Sequence, residues 1–169
     1  LGLAPPYTTE IGLVAEAFVA TLGRMLTRGV LLFIDYGFPE REFYHPQRSM
    51  GTLMCHYRHQ AHADPFHLPG LEDITAHVNF SAIARAAASA GAELLGYTSQ
   101  ASFLIDAGIT EALAAFDPAD AARYLPQSNA IQRLVSPAEM GELFKAIAFG
   151  RGINRPLCGF RRGDRSARL

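Results

Sequence analysis

Lysine is almost missing from this chain of 169 residues: Lys145 is the only one, and every other basic residue is an arginine. Together with the many alanines, this reads as GC-rich codon usage and not as an RNA-binding surface. The formal net charge of −1 gives no global field that would favour nucleic acid or an anionic membrane. Cysteine is scarce too. Cys55 and Cys158 are too few for a disulfide framework, so a reduced, cytoplasmic protein is expected. No charged segment leads into an apolar one, so no signal peptide is expected, and no apolar run is long enough to cross a bilayer. A Walker loop, a Gly-x-Gly-x-x-Gly turn, a Gly-x-Ser-x-Gly elbow, a His-Glu-x-x-His helix and paired-cysteine motifs are all absent. What is present is 49% hydrophobic and 18% charged, a globular composition with length for one domain and a core.

The chain begins at Leu1 without methionine and reads as the interior of a larger protein. Pro5-Pro6 forces an extended entry. Thr9 can cap a helix whose positive end suits Glu10, and Ile11, Val14, Ala15, Phe18, Leu22, Met25 and Leu26 share one helical face. Val30–Asp35 follows as a strand apolar on both faces, the pattern of a parallel strand covered by helices. Phe38–Glu72 is long, polar and rich in proline, with a short strand expected in Thr52–Tyr57. Asn79 can cap a helix over Phe80–Ala88. Ala92–Thr98 reads as a strand, and Ser99 as the cap of a short helix ending at Gly108. Small helices are expected at Glu111–Phe116, Ala119–Leu125 and Ala130–Leu134. Ser136-Pro137-Ala138-Glu139 has the form of a helix start. Periodicity leaves Leu143–Phe149 open between helix and strand. Pro156–Arg161 reads as a last strand or a docked tail. Residues 1–161 then form a single partial domain, and 162–169 a basic tail expected to fray.

All six histidines fall between His45 and His77, behind a strand ending in Asp35-Tyr36-Gly37. The carboxyl edge of such a sheet is where ligands bind, and crowded titratable groups suggest a site. His56, His59 and His62 are spaced by three, but no helix pattern surrounds them, and no metal site is expected. Cys55 and His56 are neighbours on a strand and point to opposite faces, so they do not form a catalytic dyad. Asp35, Tyr36, Asp73, Thr75 and His77 can line one crevice. Each also has a structural reading: Asp73 can cap a turn, Thr75 can satisfy a loop amide, and His77 can be a hydrogen-bonded core residue.

Several blocks occur in one order between Tyr7 and Phe149. They are Ile34-Asp35-Tyr36-Gly37; Gly51-Thr52-Leu53 with Tyr57 and His59; Pro69-Gly70 with Asp73-Ile74-Thr75-Ala76-His77-Val78-Asn79-Phe80; Gln100 with Phe103-Leu104 and Gly108; and Met140-Gly141 with Phe144-Lys145. In these the chain resembles the MidA-type family of S-adenosylmethionine-dependent methyltransferases, which includes a mitochondrial complex I assembly factor that dimethylates an arginine. The family pattern usually has aspartate where this chain has Asn79; both residues cap helices. The resemblance implies an α/β fold, the C-terminal half of a class I, Rossmann-like methyltransferase sheet with an inserted long loop and small helices. Val30–Asp35 is then the fifth strand, Ala92–Thr98 the sixth, and Phe144–Phe149 the antiparallel seventh. The glycine-rich cofactor loop is not found in the chain.

The activity that the resemblance implies is transfer of a methyl group from S-adenosyl-L-methionine to a protein arginine, with an arginine of a respiratory-complex-like subunit as the implied substrate. The cofactor belongs to the full-length protein and is expected to bind weakly or not at all to this chain. A guanidinium stays charged near neutral pH, so carboxylates are needed to grip it. Asp35 and Asp73 are the candidates, with Tyr36 and His77 shaping the pocket. His59, Thr75 and Gln100 are further substrate-binding candidates. These roles follow from position in the crevice, not from the resemblance. No nucleic-acid partner and no membrane insertion are expected, while an unpaired sheet edge would favour self-association. The rival reading is a non-enzymatic assembly module whose contact surface is the histidine-rich loop 38–77. A metal-dependent hydrolase is a third.

Overall fold

The computed structural model describes residues 4–169. The elements run α1 (Leu13–Met25), β1 (Gly29–Phe38), α2 (Glu40–Phe43), β2 (Met54–Tyr57), β3 (Gln60–His62), β4 (Asp73–Thr75), β5 (Val78–Asn79), α3 (Phe80–Ser89), β6 (Glu93–Ser99), α4 (Gln100–Asp106), α5 (Ile109–Ala114), α6 (Ala121–Val135) and β7 (Phe144–Arg151). They build an α/β fold with two sheets. The larger has the order β5-β1-β7-β6, and the smaller has β3-β2-β4.

In the larger sheet β7 lies antiparallel to both β1 and β6. The open choice at Leu143–Phe149 is thus a strand, antiparallel as the resemblance implied. Its centre is apolar: Ala146, Ile147, Ala148 and Phe149 are fully buried. One face packs Leu31, Phe33, Ile147, Phe149 and Tyr97 against Val19 of α1 and Phe80, Ile83 and Ala87 of α3. The other packs Ala146 and Ala148 under Phe103 and Phe160. Burial of such aliphatic and aromatic groups, at roughly 25 cal/mol per Å², is what holds the sheet.

The covering of β1 is not what its sequence suggests. Val30, Leu32 and Ile34 are 38%, 46% and 43% exposed on the face that β7 shares with Phe160. The apolar run is therefore open on one side. The edge is open as well, since β5 meets β1 only at Gly37 and Phe38, and among the described residues no strand pairs with Gly29–Tyr36 on that side. An apolar stripe of α1 is likewise uncovered, with Val14, Phe18 and Met25 exposed, as is Ile11 just before the helix.

Local signals explain most boundaries. The Asn79 side chain accepts from Ala82 N and starts α3; Ser99 accepts from Ser102 N and starts α4. Helix α1 begins at Leu13 and not after Thr9, because Glu10 is drawn away to the backbone of Thr52 and Leu53. The two short helices expected between 119 and 134 are one helix, α6, with Pro126 inside it. Ser136 does not start a helix: its N–H donates to Gln132 O and ends α6, and Gly141 N–H returns to Ser136 O in a turn. The end expected to fray is docked. Asp164 accepts from Tyr97 N–H, Gly163 O accepts from Thr98, and Leu169 reaches the core.

Candidate functional site

A cleft of about 480 Å³ opens between the carboxyl end of β1 and the smaller sheet. Tyr36 forms one wall with its cross-strand partner Phe144, ring centroids 5.6 Å apart. The opposite wall is one face of the small sheet, carrying Met54, His56, Asp73 and Thr75. His77 closes the end, edge-on to Tyr36 at 5.1 Å. Its ring also stacks on Phe38, which holds the Arg48 guanidinium 3.9 Å from its centroid.

Glycine makes this meeting possible. A Cβ at Gly37 would strike the Val78 backbone, so only glycine lets β5 pair with the end of β1 and set His77 beside Tyr36. A second support comes from far along the chain. The Glu10 carboxylate accepts from Thr52 N–H at 2.6 Å and from Leu53 N–H. Thr52 Oγ1 in turn accepts from His77 N–H at 3.0 Å. Gly51 sits at φ +76° directly under that carboxylate, where a side chain would displace it. Glu10 and His77 also line a neighbouring cleft of about 530 Å³ between α1 and α3.

Burial, followed by the Arg48 charge, pulls the His77 imidazole below the usual histidine range; Glu10 and Asp35 pull the other way, and Lys145 adds to the lowering. The ring is thus neutral near pH 7, with Nδ1 buried and without a hydrogen-bond partner among the described residues. A neutral imidazole, a phenol and a carboxylate around one cleft can grip a cationic group and accept a proton from it.

Four of the candidates read from sequence, Tyr36, Asp73, Thr75 and His77, meet here. Three do not line the cleft. Asp35 lies next to Tyr36 on β1, and strand alternation turns it to the other face, where it is exposed. His59 is exposed in the β2–β3 hairpin turn at φ 65°. Gln100 is buried at the start of α4 and donates to Leu134 O at 2.9 Å. Sequence reasoning passed over Glu10 and Thr52 as site supports: Glu10 carried only a helix-end signal, and Thr52 stood in an expected short strand with no role assigned. It also left Lys145 without a role. That sole lysine lies across from Asp35, is nearly buried, and donates to Glu142 O.

The comparisons with known proteins place the chain in a class. Residues 2–98 match the family described as putative S-adenosyl-L-methionine-dependent methyltransferase. The chain belongs to that family. It is 30% identical over 140 residues to the zebrafish (Danio rerio) protein arginine methyltransferase NDUFAF7, mitochondrial, covering 80% of this chain and 30% of the relative. A crystal structure of an uncharacterised superfamily protein from Burkholderia thailandensis is 62% identical with a TM-score of 0.97, covering all of this chain and 45% of that one. Another from Burkholderia thailandensis, bound to S-adenosyl-homocysteine, is 62% identical with a TM-score of 0.96, covering 99% of this chain and 43% of that one. The chain spans less than half the length of these relatives.

The strand-to-helix turns at this end, Pro39 after β1 and Ser99 after β6, carry no glycine-rich loop. No described helix is long and apolar enough to cross a membrane.

Proposed function

We propose that this chain forms the acceptor-side part of an S-adenosylmethionine-dependent protein methyltransferase, with arginine as the acceptor. The observation that carries the reading is the convergence of Asp73, Tyr36 and His77 on one cleft, at the carboxyl end of β1, in a chain of this family. Asp73 grips the guanidinium. Tyr36 and Phe144 flank its plane, and Thr75 fixes the strand that carries Asp73 by donating to Met54 O. His77 is the neutral base that takes up the proton released from nitrogen. Asp35 serves from outside the cleft as part of the field on His77. His59 and Gln100 have no role in this reading.

The open edge and face of β1 support a further part of it: the donor pocket is completed by polypeptide packed on that edge, and the chain, its docked tail 162–169 included, is one partial domain. S-Adenosyl-homocysteine calorimetry on this chain and on the full-length protein is the test. The expected result is no measurable binding to the chain and micromolar binding to the full-length protein. Micromolar binding to the chain alone overturns the division. Sedimentation of the same sample is expected to show self-association through the exposed edge.

One observation favours the assembly-module reading. Met50, Phe66 and Leu71 on the 38–77 segment are strongly exposed. Loss of activity with retained partner binding in an Asp73→Asn variant favours the enzyme, and no methylation by the unaltered full-length protein favours the module.

A further inference from the structure

The small sheet has a second face. Alternation turns Met54, His56, Asp73 and Thr75 to the cleft, and Cys55, His62 and Ile74 to the other side. Cys55 and His62 are direct cross-strand partners, and Glu72 enters from the residue before β4. One ligand atom from each of Cys55, His62 and Glu72 lies within 4.8 Å of the others. Cys55 is fully buried, and the Glu72 side chain has no exposed area.

The contacts inside this cluster are unusual. His62 Nε2 stands 3.0 Å from a Glu72 carboxylate oxygen. Yet neither imidazole nitrogen and neither carboxylate oxygen is aligned for a hydrogen bond with any described group. An ion pair that satisfied itself would align donor with acceptor. Two ligands converging on a common third atom approach closely without doing so. A buried carboxylate with no bonded partner is also costly, by several kcal/mol on the order of magnitude expected for such groups, and a bound cation removes that cost.

We propose that Cys55, His62 and Glu72 hold a zinc-class transition-metal ion, with His67 as the fourth ligand. The His67 ring centroid is 5.1 Å from that of His62. A thiolate, imidazoles and a carboxylate are a borderline-soft set that suits Zn²⁺; Mg²⁺ and Ca²⁺ take oxygen ligands. Metal–ligand bonds of about 2.0–2.3 Å put tetrahedral ligand atoms roughly 3.3–3.8 Å apart. The His62–Glu72 pair, at 3.0 Å, therefore opens slightly on binding while any wider pair within the 4.8 Å limit draws in, and Cys55 releases its thiol proton to solvent. The ion clasps β2, β3 and the entry to β4, in a sheet whose described residues include no other fully buried side chain. It thereby stiffens the wall that presents Asp73 and Thr75. This assignment is independent of the methyltransferase reading.

The test is metal uptake by the chelator-treated protein. The expected result is a single equivalent of Zn²⁺ bound with micromolar or tighter affinity, and Co²⁺ substitution that gives a thiolate-to-metal charge-transfer band with tetrahedral d–d absorption. Cys55→Ser removes the band, Glu72→Gln weakens binding at least tenfold, and His59→Ala changes neither. Cys55→Ser can disturb a buried position, so the unaltered protein's Co²⁺ spectrum decides separately. No stoichiometric uptake, uptake without the charge-transfer band, or loss on His59→Ala would each overturn the site.

Discussion

The two sheets are held together by different chemistry. At the centre of the larger one, Ala146, Ile147, Ala148 and Phe149 are all fully buried among apolar neighbours. In the smaller one the single fully buried residue is Cys55, and what surrounds it is a histidine and a carboxylate. The first is closed by the hydrophobic effect, which needs no particular partner. The second depends on a few polar groups finding one geometry. That difference assigns roles: the larger sheet is the frame, and the smaller one is an adjustable wall carrying Asp73 and Thr75.

The most damaging way to test this contrast is to empty the frame. Phe149→Ala is expected to cost about 3–5 kcal/mol, from lost transfer energy and the cavity left behind. Denaturant titration is the measurement. His62→Ala in the wall is expected to leave global stability nearly unchanged in chelator. A similar loss from both would erase the distinction.

Next in size is an effect on chemistry alone. Asp73→Asn in the full-length protein is expected to lower kcat about a hundredfold, by roughly 2.7 kcal/mol in the transition state, with Tm unchanged. The Asn keeps the shape of the side chain and removes the charge that pairs with a guanidinium. Unchanged kcat would remove Asp73 from the acceptor site.

The frame was legible in the sequence for the same reason that it is stable. The apolar run at Val30–Asp35 announces a strand, Phe144–Phe149 reads as one only through the family resemblance, and Asn79 and Ser99 announce helices through bonds only three residues long. Of the wall, only β2 was legible, within the strand expected at Thr52–Tyr57. Strands β3 and β4 are three residues each and mostly polar, so no period develops. His56, His59 and His62 are spaced by three, but no helix pattern surrounds them, and the spacing does not tell where each side chain goes. The hairpin sends His56 to the cleft, His59 to the turn and His62 to Cys55. The Glu10–Thr52 support spans 42 residues, beyond any local signal. Asp35 was misplaced for a simpler reason: two adjacent strand residues cannot face one cleft.

A smaller effect tests whether the frame's core is wholly apolar in character. Tyr97 is 1% exposed, its hydroxyl has no partner among the described residues, and burial pushes its ionisation well above the usual tyrosine range. Tyr97→Phe removes an unsatisfied oxygen and keeps the ring against Phe80. It is expected to raise stability by up to about 1 kcal/mol. A loss of stability would reveal a bond that this hydroxyl makes.

The smallest effect lies at the seam between the two sheets, in the pH response of His77. Its folded pKa is lowered from 6.5, first by burial and then by Arg48. In the unfolded chain the imidazole binds a proton near 6.5; in the fold it does so only at lower pH. Between those values the unfolded state holds more protons, so stability rises with pH. The contribution of neutral His77 is fully present above 6.5 and is lost as pH falls toward the folded pKa, below which it levels off. The stability difference between the unaltered protein and a His77→Gln variant isolates this from the other histidines. It is expected to shrink on acidification below 6.5 and to stay flat above it. A difference that grew on acidification would mean that His77 gains a proton on folding, and a protonated ring could not serve as the base beside Asp73.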